Sequence, residues 1–178
     1  MSIYKNYEQY ELPLDVAADP EGPPSAKGKA QEVREASIIE QALAILERRH
    51  QRGEPLTSPD ITKQFLRLRL AEEKREVFGC LFLDNRHRVI VVEDLFFGTI
   101  DGASVHPREV ARIALEHNAA AALAYHNHPS GVAEPSQADI RITQRIKDTL
   151  ALIDVRLLDH LVVSTEGAVS LAERGLLS

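Results

Sequence analysis

The chain has 178 residues, 44% apolar and 27% charged, which is enough for one domain with a buried core and too few for two of ordinary size. That composition excludes a chain disordered throughout, and no apolar run approaches the roughly 20 residues that span a bilayer. A net charge of −6 and the lack of tryptophan count against broad nucleic-acid affinity, which rests on cations against phosphate and on stacked aromatics.

A single cysteine, Cys80, can form neither an internal disulfide nor a thiolate-rich zinc site, so any metal must rely on histidine and carboxylate. The opening Met1-Ser-Ile-Tyr-Lys5 lacks the charged and apolar regions of a secretory signal. The expected location is the cytoplasm, without membrane association.

Residues 1–30 include Asp19-Pro-Glu-Gly-Pro-Pro-Ser25 and Lys27-Gly-Lys29 and read as a flexible tail, with Tyr4, Tyr7 and Tyr10 fraying rather than docking. Residues 31–75 read as a two-helix segment. Val33, Ala36, Ile39, Leu43 and Leu46 recur at helical spacing between Glu32 and His50, and Gly53 lies just past the cationic end. A second helix starts at Ser58-Pro59, serine as cap and proline at the first turn, with Ile61, Phe65 and Leu68 as its buried stripe. Arg67, Arg69, Lys74 and Arg75 read as a solvated face.

Residues 76–178 form the expected main domain. Residues 77–83 and 89–97 read as strands around a turn at Asp84-Asn-Arg-His87. A helix follows from His106-Pro107 to Asn118, then a wholly apolar strand over 119–125. Ser136 to Ile153 is a further helix, and residues 155–164 and 168–171 close the domain as strands. Strands alternating with helices around an antiparallel hairpin predict an α/β fold with a mixed sheet.

The chemistry is concentrated between Tyr125 and Asp139. His126 and His128 lie two apart at a strand end, where period-two geometry turns both imidazoles to one side. Pro129 and Gly131 turn the chain away, and Ser136 and Asp139 open a helix that returns a carboxylate to the same strand end, where α/β folds place ligands. Ser136-x-x-Asp139 is also a capping pattern in its own right. Two imidazoles and a carboxylate fill three positions of a tetrahedral zinc and leave the fourth for water. One Zn²⁺ per chain, held by His126, His128 and Asp139, is therefore expected.

His126-x-His128-Pro129-(x)6-Ser136-x-x-Asp139 resembles the JAMM motif of the JAB/MPN metalloprotease superfamily. Leu95-Phe-Phe-Gly-Thr-Ile-Asp101, Val105-His-Pro-Arg-Glu-Val110, Glu134-Pro-Ser-Gln-Ala-Asp139 and Leu157-Leu-Asp-His-Leu-Val-Val163 resemble RadC-like proteins of that superfamily more closely still. The likeness extends over roughly residues 38–178. It implies a JAB/MPN-like mixed β-sheet flanked by helices and preceded by the two-helix segment.

By that resemblance, Glu76-Val-Phe-Gly79 supplies the general base, Glu76, and Ser136 donates to the oxyanion. The implied activity is zinc-dependent hydrolysis of a peptide or protein substrate. Two other readings follow from the family: RadC-type DNA repair or nucleic-acid processing, and a non-catalytic interaction module. Residues 1–75 show no Gly-rich hairpin of the helix-hairpin-helix type carried by longer RadC proteins, so a DNA association rests on the family alone. Retention of all five site residues argues against a mere scaffold. Glu134 reads as a loop residue, Glu93 has no motif support, His160 reads as structural, and Cys80 as a buried inert thiol.

Overall fold

The computed structural model describes residues 26–51, 59–98 and 104–177. The expectations for the tyrosines, most of the tail, Gly53, the Ser58 cap and Thr99-Ile-Asp101 fall outside these residues. The chain divides into two compact units, residues 1–37 and 38–178.

Helix α1 (Ala26–Gln51) begins ahead of the expected Glu32, so Lys27-Gly-Lys29 is helical rather than linker. Its anticipated stripe is not buried where it can be described. Val33 is 70% exposed and Ala36 is exposed, and only Ile39 is half-buried. The side chains of Leu43 and Leu46 lie outside the described set.

Helix α2 (Pro59–Arg69) opens on proline, whose fixed φ suits a first turn. Its buried face carries Thr62, Phe65 and Leu66, while Ile61 is exposed and Leu68 only half-buried, so the expected stripe is rotated. Arg69 also departs from the solvated reading, since it bonds Asp94 at 2.6 Å.

Strands β1 (Val77–Leu83) and β2 (Val89–Phe97) lie where their apolar runs placed them. They are followed by α3 (Pro107–Glu116), β3 (Ala121–Asn127), α4 (Gln137–Ala151), β4 (Arg156–Val163) and β5 (Ala168–Ser170). The five strands form one sheet in the order β2-β1-β3-β4-β5. Only β3 and β4 are parallel, joined through α4, so the sheet is mixed as expected. Strands β1 and β3 are buried at every position because both sheet faces are covered, which is why they read as unbroken apolar runs.

Period-two alternation divides the core between the two faces. On one side Val77, Leu81, Leu123 and Tyr125 pack with Phe65, Leu66 and Leu70 from α2 and its end. Helix α2 thus completes the core on this side of the sheet. On the other side Phe78, Cys80, Phe82 and Ala124 pack against Val110 and Ala114 of α3 and Ile146 and Leu150 of α4. A Cβ on Gly79 would collide with the Tyr125 ring and the Glu93 carbonyl, so this strand position must be glycine. The Tyr125 hydroxyl reaches Asp94 at 2.5 Å, which ties β3 to β2 and, through Arg69, to α2. Among the described residues no helix is long and apolar enough to cross a membrane.

Candidate metal centre

The site forms where β3 ends and α4 begins. The strand runs two residues beyond its expected end, so His126 and Asn127 are buried strand residues and His128 follows directly. The His128 amide donates to the Val163 carbonyl at 2.8 Å, which holds the first loop residue against β4. Gly131, at φ 93°, turns the chain, its amide bonded to the His128 carbonyl at 3.1 Å.

Helix α4 returns Asp139 through a reciprocal cap. The Ser136 amide donates to Asp139 Oδ2 at 2.7 Å, and the Asp139 amide donates to Ser136 Oγ at 3.2 Å. The capping and metal-binding readings therefore coexist: the cap places the carboxylate, and Asp139 Oδ1 lies 3.4 Å from His126 Nε2. Asp139 Oδ2 lies 3.5 Å from His128 Nε2, and the two Nε2 atoms are 2.9 Å apart. One ligand atom from each of His126, His128 and Asp139 falls within 4.8 Å of the others, so the three could hold a metal ion.

Proton bookkeeping supports that fit. The Val132 carbonyl can only accept, so His128 Nδ1 donates to it at 2.9 Å, and a neutral His128 directs its Nε2 lone pair into the site. That lone pair meets a carboxylate oxygen, and such converging acceptors require a cation between them, either a proton or a metal. The electrostatics agree. The hydrogen bond to Asp139 raises the pKa of His128 against the effect of its partial burial, with the Val132 carbonyl and the charges of Asp139 and Glu76 adding to it. Burial pushes His126 down to about 4, partly opposed by Asp139, so its imidazole is neutral at pH 7. Asp139 is half-buried, which alone would raise its pKa, yet the bond to His128, the charge of His126 and the bonds at Ser136 hold it well below the carboxylate range.

Glu76 stands immediately before β1, half-buried, close enough for its charge to act on His128. Its backbone is fixed on both sides by Asn127, the residue between the two histidines. The Val77 amide donates to Asn127 Oδ1 at 2.7 Å, and Asn127 Nδ2 donates to the Arg75 carbonyl at 3.0 Å. Alternation points Asn127 to the face opposite the two imidazoles, so one tripeptide provides both histidines of the cluster and the clamp on the backbone around Glu76. Ser136 is exposed at the helix start. Its capping bond uses an oxygen lone pair and leaves the hydroxyl proton available to donate.

The remaining candidates fall away or change role. Glu134 pairs with Arg174 at 2.5 Å on the surface, as a loop residue would. Glu93 lies on β2, 3.9 Å from His117 and outside the cluster. Cys80 is fully buried, and burial pushes its thiol far up, which makes it inert. His160 is more than core filling: its Nε2 lies 2.8 Å from His126 Nδ1. Thr143, on the other side of His160, was missed by sequence reasoning although it lies four residues from Asp139 on the same helix face.

Comparison with known proteins bears on ancestry. The model of the RadC-like JAB domain matches residues 56–176. A UPF0758 protein of Thioalkalivibrio sulfidiphilus is 59% identical over 150 residues, 84% of this chain and 67% of the relative. Another, from Nitrosococcus oceani, is 59% identical over 142 residues, 77% of this chain and 63% of the relative. A third, from Vibrio cholerae, is 54% identical over 149 residues, 84% of this chain and 94% of the relative. The chain thus spans about two thirds of the length of the first two and nearly all of the third. Mixed sheet, histidine pair, capped carboxylate and the family match agree: the chain belongs to the RadC-like JAB domain family.

Proposed function

We propose that the protein is a cytoplasmic zinc-dependent hydrolase that cleaves peptide or isopeptide bonds, with Glu76 as general base. The observation that carries this reading is the convergence of His126 Nε2, His128 Nε2 and Asp139 at the end of β3, with Glu76 close enough for its charge to act on His128. Three nitrogen and oxygen donors with an open side match a catalytic rather than a structural zinc site. When bound, zinc supplies a Lewis acid that polarises a carbonyl and acidifies water.

The rest of the chemistry belongs to the chain. Glu76 takes the proton of the attacking water and delivers it to the leaving amine. Ser136 donates its hydroxyl proton to the oxygen on which negative charge develops. Asn127 keeps Glu76 in register by holding the backbone on either side of it. Beside His128 a cleft of about 510 Å³ opens, walled by Leu68, Leu70, Pro129 and Val163 and rimmed by Arg67 and Thr165. Its mainly apolar lining suits a polypeptide side chain next to the scissile bond. A single buried cysteine fits a reducing compartment.

The test is a peptide-library cleavage screen with zinc-reconstituted protein, run in parallel with the Glu76→Gln variant. Cleavage by the first and not the second supports the proposal. Cleavage of phosphodiester substrates alone, or equal peptide cleavage by both proteins, contradicts it.

A further inference from the structure

A ligand histidine can bind metal only if its proton resides on the other nitrogen. His126 has its Nδ1 turned into the protein, where it meets His160 Nε2 at 2.8 Å, and His160 Nδ1 meets Thr143 Oγ1 at 2.5 Å. Thr143 Oγ1 also lies 2.5 Å from the backbone carbonyl of Asp139. His126, Thr143 and His160 are each no more than 1% exposed, so no bulk water supplies or removes a proton along this row. Packing fixes the rings. Phe78 stacks near His126 at 6.2 Å and meets His160 edge-on at 5.4 Å. Asp159 Oδ1 accepts the His160 amide at 2.7 Å, while its Oδ2 accepts from Ser170 Oγ at 2.6 Å.

Three contacts in series must each contain one proton, and the row has one fixed end. A carbonyl oxygen can only accept, so the single proton of Thr143 lies toward Asp139. Thr143 Oγ1 is then an acceptor for His160 Nδ1–H. A neutral His160 with its proton on Nδ1 has a bare Nε2, which accepts from His126 Nδ1–H. His126 is left with a bare Nε2 facing Asp139 and His128. The reverse assignment turns the Thr143 proton to His160 and leaves two oxygens 2.5 Å apart with nothing between them. It also places a proton on the nitrogen that faces the site.

We propose that Thr143 and His160 are positioning residues that fix His126 as the Nδ1–H tautomer and so aim its Nε2 lone pair at the metal. This rests on the reading of His126 as a ligand. The relay starts from the backbone carbonyl of Asp139, so the helix turn that presents the carboxylate ligand also sets the protonation of the histidine ligand. Outer-shell partners of this kind are worth about 10–100-fold in metal affinity.

Two measurements test it, neither involving turnover. In metal-free protein labelled with ¹⁵N-histidine at pH 7.5, the imidazole spectrum should show His126 and His160 both protonated at Nδ1 and bare at Nε2. Zinc affinity, measured by competition with a chromophoric chelator, should fall 10–100-fold in Thr143→Val and return to within about threefold of wild type in Thr143→Ser. A His126 proton on Nε2 overturns the proposal. So does a folded Thr143→Val variant that binds zinc within twofold of wild type. If that variant does not fold, the wild-type spectrum decides. Absence of peptide cleavage would defeat the hydrolase reading and leave both of these results unaffected.

Discussion

Adjacent residues at the end of β3 face opposite sides of the sheet and are held in different ways. On the α3/α4 side, His126 belongs to a row of buried side chains running through His160 to Thr143. On the α2 side, Asn127 bonds only to backbone, at Val77, Arg75 and Glu73. The first arrangement governs which atom carries a proton; the second governs where a chain segment lies. Under the proposed function, metal binding and base placement fall to separate faces, and substitutions on the two faces should affect different measurements.

The largest separation is expected from Glu76→Gln. With Glu76 as base and not as ligand, as proposed, this change should lower turnover about 10²–10⁴-fold while zinc remains bound. Full turnover by this variant on a confirmed substrate would refute its role. Ser136→Ala should reduce the rate about 10²–10³-fold through loss of one donor to the oxyanion. The same change should cost about 1 kcal/mol as a lost helix cap, visible as a lower urea midpoint.

Asn127→Ala sharpens the comparison from the other side. It orphans the buried Val77 amide, at a cost of about 1–3 kcal/mol, and frees the segment carrying Glu76. Turnover should fall with zinc affinity unchanged within a few-fold; a parallel loss of affinity would show that the two faces are not independent.

The pH dependence tests the buried histidine face by itself. His126 titrates near 4 and His160 well below its ordinary value, both through burial, so the unfolded chain binds more protons than the folded one between pH 6.5 and 4. Metal-free protein should lose stability as pH falls through that window, at up to about 1.4 kcal/mol per unit for each group. His128 acts outside that window: its pKa is raised, so the stability its proton contributes is complete below about 6.5 and is lost only as pH rises above that value. Its proton competes with the metal, so zinc affinity should begin to fall at a pH above 6.5. Chemical denaturation at stepped pH, with and without zinc, reads both effects.

How much of this was legible in the sequence follows from the range of each interaction. Strands β1 and β2 were read to the residue because apolar runs bounded by a turn are local signals. The candidate metal cluster was equally local: His-x-His at a strand end, then an acid in the first turn of a helix. Strand β3 was ended too early because His126 and Asn127 are polar, and nothing local shows that their partners lie 34 and 50 residues away. The face of α2 was misplaced for the same reason. Arg69 is drawn inward by Asp94 on β2, and buried Thr62 takes the position expected of Ile61. Gly79 was visible as a pattern, but its cause, the Tyr125 ring lying across it, needs the fold. Thr143 was missed, although helix spacing places it on the face of Asp139, because nothing local shows that the buried His160 lies against it.

The central claim is that His126, His128 and Asp139 bind the metal while Glu76 acts without touching it. Elemental analysis after zinc reconstitution and desalting at neutral pH tests this directly, using wild type, Glu76→Gln and Asp139→Asn. About one zinc per chain is expected in the first two. Asp139→Asn should retain almost none, since a neutral amide replaces the anionic ligand and the loss should exceed the roughly 100-fold cost of an outer-shell change. Zinc at background in wild type, or zinc retained in Asp139→Asn and lost in Glu76→Gln, would contradict the account.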